Sequence, residues 1–232
     1  MKTIGLIGGM SWESTVPYYQ VINETVKERL GGLHSAKLVL YSVDFHEIEL
    51  LQHSGNWDEA GRLLAQAACA LQAAGADFLV LCTNTMHKVA DAIESAVDIP
   101  LFHIADATAE EVKHRGMTTV GLLGTRFTME QEFYKGRLRE CHGIDVVVPN
   151  EADREIVHRV IYGELCLGKI SAISSAEYRR IIQRLAESGA QGVILGCTEI
   201  SMLVGTEDSQ VPLFDTTRIH ARKAAERALH GG

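Results

Sequence analysis

The sequence predicts an α/β fold: two similar doubly wound parallel-sheet domains related by a pseudo-twofold, with the ligand site in the cleft between them. Three observations predict it. Apolar strand-like runs alternate with segments of helical periodicity along the whole chain, the pattern that builds parallel sheets with helices on both faces. The pattern occurs twice in the same order, as an internal duplication would produce. Finally, the apolar run Leu79-Val80-Leu81 stops abruptly on Thr83-Asn84-Thr85, small hydroxyl and amide side chains. Such an ending fits the carboxyl edge of a parallel sheet, where open α/β folds bind ligands.

Lys2 to Gly9 reads as a short buried strand running into a glycine turn before Met10. The glycines serve either a tight strand-to-helix connection or the close approach of a ligand to the backbone. The spacing is not GxGxxG, so no dinucleotide site is expected. Ser11 to Leu30 carries apolar residues at helical spacing (Val16, Tyr19, Val21, Ile22, Val26), and Ala36 to Val43 is a second strand ending at Asp44. Phe45 to Asn56 is left as a loop. Trp57 to Ala74, rich in alanine and leucine, is a packed helix stopped by Gly75. After the Leu79 strand, His87 to Ala96 is helical and Pro100 to Ile104 is a fourth strand.

The same order then returns. Thr118 to Thr125 matches Lys2 to Gly9 nearly position for position, and Ile144 to Val148 answers the second strand. Val193-Ile194-Leu195-Gly196-Cys197-Thr198-Glu199 answers the Leu79 segment, with Cys197 over Thr83. Val211 to Asp215 answers Ile99 to His103. The final helix, Thr217 to Leu229, follows the last strand and is expected to return to the first domain. The domains are therefore drawn as 1–103 plus 212–232 and 104–211.

Composition narrows the function classes. The chain has 232 residues, 46% apolar, enough for a proper core, and a formal net charge of −8 with no basic stripe, so nucleic acid is not an expected partner. No apolar run reaches the roughly 18 residues of a membrane span. The chain enters a strand directly, without the pattern of a signal peptide. Five cysteines (Cys69, Cys82, Cys141, Cys166, Cys197) show no CxxC or metal-ligand spacing. They are read as reduced thiols in a cytoplasmic protein, with no metal expected.

A thiol at one strand end and a hydroxyl at its repeat equivalent suit chemistry on two faces of one carbon. The unperturbed cysteine pKa of about 8.5 falls when donors or cations surround the sulfur. A thiolate can then remove a proton, and an opposite group can return one. Backbone N–H groups, with Asn84, Thr85 and Thr198, would hold a carboxylate beside the reacting carbon and stabilise the charge that develops. No cofactor motif is present.

The motifs GLIGGMS (Gly5 to Ser11), TNTMH (Thr83 to His87), LLGT (Leu122 to Thr125), ELCLG (Glu164 to Gly168) and GCTE (Gly196 to Glu199) together resemble those of the aspartate/glutamate racemase family. The resemblance spans essentially the whole chain. It implies an amino-acid racemase working without pyridoxal phosphate or another cofactor on aspartate, glutamate or a similar polar amino acid. It also implies two facing α/β domains, a homodimer, and Asn84, Thr85, Thr125 and Thr198 near the substrate. Gln52 and Met10 join them from the same resemblance, as a polar contact and an apolar wall. The family typically has cysteine where this chain has Thr83, whereas Cys197 is kept. Cys197 is thus expected to be the base, with Thr83 opposite it, and the family's second cysteine faces the L-isomer, so L-substrates are expected.

Cys82 is adjacent to Thr83 but points to the other face of the strand. His87 either polarises a neighbouring hydroxyl or anchors the next helix. Glu199 either orients Cys197 or caps the next helix. Lys169 and Arg126 are either partners of a second carboxylate or solvated surface charges. Two other functions fit the same motifs: a single-cysteine decarboxylase of malonate-type acids, and an amino-acid-binding protein without catalysis.

Overall fold

The computed structural model describes residues 1–230. The chain divides into two compact units, Met1–Ile104 with residues 220–230, and Ala105–Ile219.

The first unit holds a four-stranded, fully parallel sheet in the order β2-β1-β3-β4. In chain order its elements are β1 (Ile4–Gly8), α1 (Trp12–Leu30), β2 (Leu38–Ser42), α2 (Phe45–Ser54), α3 (Trp57–Ala73), β3 (Phe78–Leu81), α4 (Ala90–Glu94) and β4 (Leu101–Phe102). Alternation along β3 sorts its side chains between two cores. Leu79 and Leu81 pack with Ile7 against Leu64, Ala68 and Leu71 of α3. Phe78, Val80 and Cys82 pack with Ile4 and Leu6 against Tyr18, Ile22 and Val26 of α1. Each large apolar side chain so buried contributes about 1.5–3 kcal/mol.

The second unit repeats the plan: α5 (Ile104–His114), β5 (Thr119–Gly124), α6 (Arg126–Glu130), α7 (Glu132–His142), β6 (Asp145–Val147), α8 (Glu151–Gly163), α9 (Ala172–Glu187), β7 (Val193–Gly196) and β8 (Leu213–Asp215); the last helix, α10 (Thr216–His230), starts in it and passes to the first unit at His220. Its sheet is also parallel, in the order β6-β5-β7-β8. Leu123, Val193 and Leu195 form one core with Val157, Ile161, Tyr178 and Ile182 of α8 and α9. Asp106 of α5 accepts two 2.7 Å bonds from the Arg137 guanidinium of α7 and lies 2.8 Å from His142 Nε2.

Each unit is completed by the helix that follows the other unit's sheet. From His220, α10 carries Ala221, Ala224, Ala225 and Ala228 into the core beneath β1 and β3. Small side chains there let the helix lie close to the strands. The unit limits differ from the expected 104–211, because β8 pairs with β7 and therefore stays in the second unit.

Local chemistry explains the helix boundaries. Ser11 caps α1, its Oγ accepting from Ser14 N at 3.3 Å. The segment 45–56, read as a loop from sequence, is mostly the helix α2. Asp44 caps its start by accepting from His46 N at 3.0 Å, and Gly55 ends it in the left-handed region at φ 73°.

Candidate active site

In the first unit, the pairing of β1 with β3 runs to the strand ends, where Cys82 N donates to Ile7 O at 2.9 Å. Thr83, Asn84 and Thr85 follow at the carboxyl edge, all buried, and Thr85–Val89 forms a 3₁₀ turn. Cys82 sits fully buried in the α1-facing core, and burial raises its thiol far above the ordinary range. Cys82 is therefore a packing residue. Gln52 lies on α2 rather than on a loop, buried, with Nε2 3.0 Å from Met86 Sδ. Met10 belongs to the same apolar cluster as Met86. The turn before Met10 is tight on its own account. Gly9 has φ 90° and lies against the Val43 backbone, and a Cβ on Gly8 would strike the Thr15 side chain. Thr15 Oγ1 accepts from Gly9 N at 2.9 Å. The glycines therefore serve the strand-to-helix connection.

His87 spends both ring nitrogens on backbone groups. Nδ1 lies 2.7 Å from Thr83 O, and Nε2 accepts from Ile104 N at 3.2 Å. Its ring lies among two other histidine rings, 4.3 Å from His103 and 6.1 Å from His220. The sequence offered no spacing that would have joined these three.

In the second unit, Gly124 pairs with Gly196 at the ends of β5 and β7, so Thr125 and Cys197 emerge side by side. Thr125 is buried and caps α6, its Oγ1 accepting from Thr128 N at 3.4 Å. The half-buried Cys197 donates its S–H to Glu199 Oε2 at 3.0 Å, and Thr198 Oγ1 donates to the same oxygen at 2.7 Å. Glu199 is itself buried. Burial first, and then the Glu199 carboxylate, push the Cys197 thiol well above its ordinary range. The donors and cations expected to lower it are replaced by an anion, so the resting sulfur carries its proton. Of the two roles open to Glu199, contact with Cys197 is the one the geometry displays.

Tyr178 shares the core beneath Cys197 and donates to Val157 O at 3.0 Å, a neighbour no sequence pattern announced. Arg126 is engaged by Glu155, and Lys169 is exposed. Among the described residues, no group of three or more His, Cys, Asp or Glu side chains is placed to hold a metal ion. Nor, among the described residues, is any helix long and apolar enough to cross a membrane.

The family model for Asp/Glu/hydantoin racemases matches residues 7–224. The chain belongs to the Asp/Glu/hydantoin racemase family. The Bacillus subtilis (strain 168) broad specificity amino-acid racemase RacX is 23% identical over 97% of this chain and 98% of its own. Among solved structures, a candidate Asp/Glu racemase from Yersinia pestis is 62% identical, with a TM-score of 0.93 over 99% of this chain and 100% of that one. An aspartate racemase homologue from Pyrococcus horikoshii OT3 is 38% identical, with a TM-score of 0.84 over the same shares. Membership of the racemase family makes the chain an isomerase of the racemase type.

Proposed function

We propose that this racemase-family enzyme interconverts the enantiomers of aspartate, glutamate or a similar polar amino acid without a cofactor, with L-isomers as the favoured substrates. Cys197 is the base and Thr83 serves the opposite face of the same carbon. The observation that carries this reading is the Cys197–Glu199 pair at the end of β7, 3.0 Å from sulfur to carboxylate oxygen.

The pair solves a specific problem. A thiol with a raised pKa is a poor base until something accepts its proton. Glu199 is in hydrogen-bond contact with that proton and can take it as substrate binds, leaving a thiolate beside a neutral carboxyl group. The substrate ammonium then favours the thiolate. The thiolate removes the α-hydrogen, and the developing charge is held by Asn84, Thr85, Thr125 and Thr198 with nearby backbone N–H groups. Thr83, whose hydroxyl has no accessible ionisation, delivers a proton to the other face directly or through water. Gln52 supplies a polar contact to the substrate and Met10 an apolar wall. Five free cysteines fit a reducing, cytoplasmic setting, and the family resemblance favours a homodimer.

The test is a panel of L- and D-amino acids in heavy water, reading deuterium at the α-carbon and configuration together. Aspartate or glutamate should take up deuterium and change configuration, and Cys197→Ser should lose orders of magnitude in both. Full activity in that variant overturns the assignment of the base. The single thiol also favours a second reading, one-sided protonation after loss of carbon dioxide from a malonate-type acid. Carbon dioxide release without change of configuration in the amino-acid panel would select it.

A further inference from the structure

Three candidates outside the proton-transfer pair stand out in the fold: the thiol of Cys166 in the core that also holds Cys197, the exposed apolar stripe Trp12, Val16 and Tyr19 on α1, and the buried histidines around β4. The last has a determined hydrogen-bond geometry that bears on the site.

We propose that His87 is a positioning residue, a neutral Nδ1–H imidazole that holds the Thr83 carbonyl and so sets the direction of Thr83, Asn84 and Thr85. The inference deepens the racemase reading and rests on it. The hydrogen count follows from the partners. Ile104 N–H donates to Nε2 at 3.2 Å, so that nitrogen offers a lone pair and carries no hydrogen. The ring hydrogen is then on Nδ1, where the Thr83 carbonyl oxygen accepts it at 2.7 Å. Both nitrogens are committed to the backbone, which leaves His87 no proton to exchange with substrate. Its effect is mechanical.

The ring joins two adjacent strand ends, the turn after β3 and the start of α5 just after β4. His103 packs against it at a tilt and His220 in an edge arrangement. His220 is fixed in turn, with Nε2 2.8 Å from Phe102 O and Nδ1 2.9 Å from Tyr18 Oη. A carbonyl acceptor requires the hydrogen on Nε2, so the Tyr18 hydroxyl donates to Nδ1. The repeat equivalent of His87 is Ser201, which donates to Thr198 O at 3.1 Å. The turn beyond β7 is therefore tied back within itself. The turn beyond β3 is instead bolted across to the start of α5, just after the neighbouring strand.

Two measurements test this. Long-range 15N–1H correlation spectra of the unaltered protein, assigned by the signal lost in His87→Asn, should show His87 as the Nδ1–H tautomer. An Nε2–H tautomer overturns the brace. In the second, His87→Asn and His87→Gln are compared by α-hydrogen exchange and racemisation of the L-substrate in heavy water. The asparagine amide can replace Nδ1 and keep the bond to Thr83. The glutamine amide replaces Nε2 and keeps only the bond to Ile104. His87→Gln should lose racemisation by roughly tenfold, the scale of one lost hydrogen bond. Exchange at the Cys197 side should fall less, and His87→Asn should stay near the unaltered enzyme. Equal losses in both variants and both readouts, following Tm, overturn the positioning role and leave a structural one. An unaltered protein that neither exchanges nor racemises any amino acid strikes the functional reading alone, and the tautomer still decides the brace.

Discussion

Replacing Glu199 by glutamine should move two properties of Cys197 in opposite directions. The glutamine carbonyl can still accept from Cys197 and Thr198, so the packing is kept while the charge is removed. A thiolate would sit 3.0 Å from the Glu199 carboxylate. Two unit charges at that separation repel by about 1.4 kcal/mol in bulk water and about 5 kcal/mol at an intermediate dielectric. Cys197 is half-buried, so the lower figure is the safe one, and it corresponds to about tenfold in thiolate population. Alkylation of Cys197 by iodoacetamide at pH 7.5, followed by mass spectrometry of its peptide, should therefore be at least about tenfold faster in Glu199→Gln. Turnover should fall instead, by about a hundredfold at neutral pH, because the internal acceptor of the thiol proton is gone. In the variant the proton must go to solvent, so kcat/KM should climb with pH where the unaltered enzyme stays flat. Faster alkylation with undiminished turnover would show that Glu199 only raises the thiol pKa. Unchanged alkylation would show that its charge does not reach the sulfur.

Asn84→Ala should lower kcat/KM by about 2–4 kcal/mol of transition-state stabilisation if the amide cradles the substrate carboxylate, and a change under about threefold places it outside the site. Thr83→Cys should bring racemisation of the L-substrate closer to its α-hydrogen exchange, measured side by side in heavy water; an unchanged ratio refutes the role given to Thr83. Burial alone would raise the Asp106 carboxyl, but Arg137 and His142 outweigh it and hold it below the ordinary range. A depressed carboxyl adds stability above its unfolded pKa, near 3.9, and loses it as pH falls through the folded value. Asp106→Asn should thus lower Tm by a few degrees at pH 7, and the gap should close as the pH is taken down through the acid range.

What the sequence revealed follows from how local each signal is. Apolar runs ending in glycine or hydroxyl residues located β1, β3, β5 and β7, since a strand buried on both faces must be apolar throughout. The alignment of Thr83 with Cys197 needed only the duplication. The helix α2 was missed although its caps, Asp44 and Gly55, stand in the sequence, because Leu50 is exposed while the polar Gln52 is buried, which blurs the apolar stripe. The fourth strand reads as five residues and pairs with β3 over two, Leu101–Phe102: Pro100 O still accepts from Leu79 N of β3 at 2.9 Å, but beyond Phe102 the Ile104 N–H goes to the His87 ring and α5 begins. Burial and the Glu199 carboxylate raise the Cys197 thiol, where surrounding donors or cations would lower it. A residue two positions along a strand end can cap a helix or turn back on its neighbour, and only the folded backbone distinguishes these. The contact of His87 with Ile104 and the ring of His220 spans residues that share no period.

The replacement of a thiol by Thr83 has a consequence set by equilibrium rather than by structure. Enantiomers have equal free energy in water, so a true racemase must have the same kcat/KM in both directions. A poor base at Thr83 cannot make the reaction run only from L to D; it slows both directions by one factor. What it leaves fast is return of a proton to the face from which Cys197 removed it. Under the proposed assignment, L-selectivity would be a property of exchange, not of net conversion: the L-isomer should exchange its α-hydrogen faster than it racemises, and the D-isomer should not. Whether a second group compensates for Thr83 is therefore read from that ratio, and the buried tie from His87 to the Thr83 carbonyl is the feature of the fold that can raise it or lower it without touching the thiol.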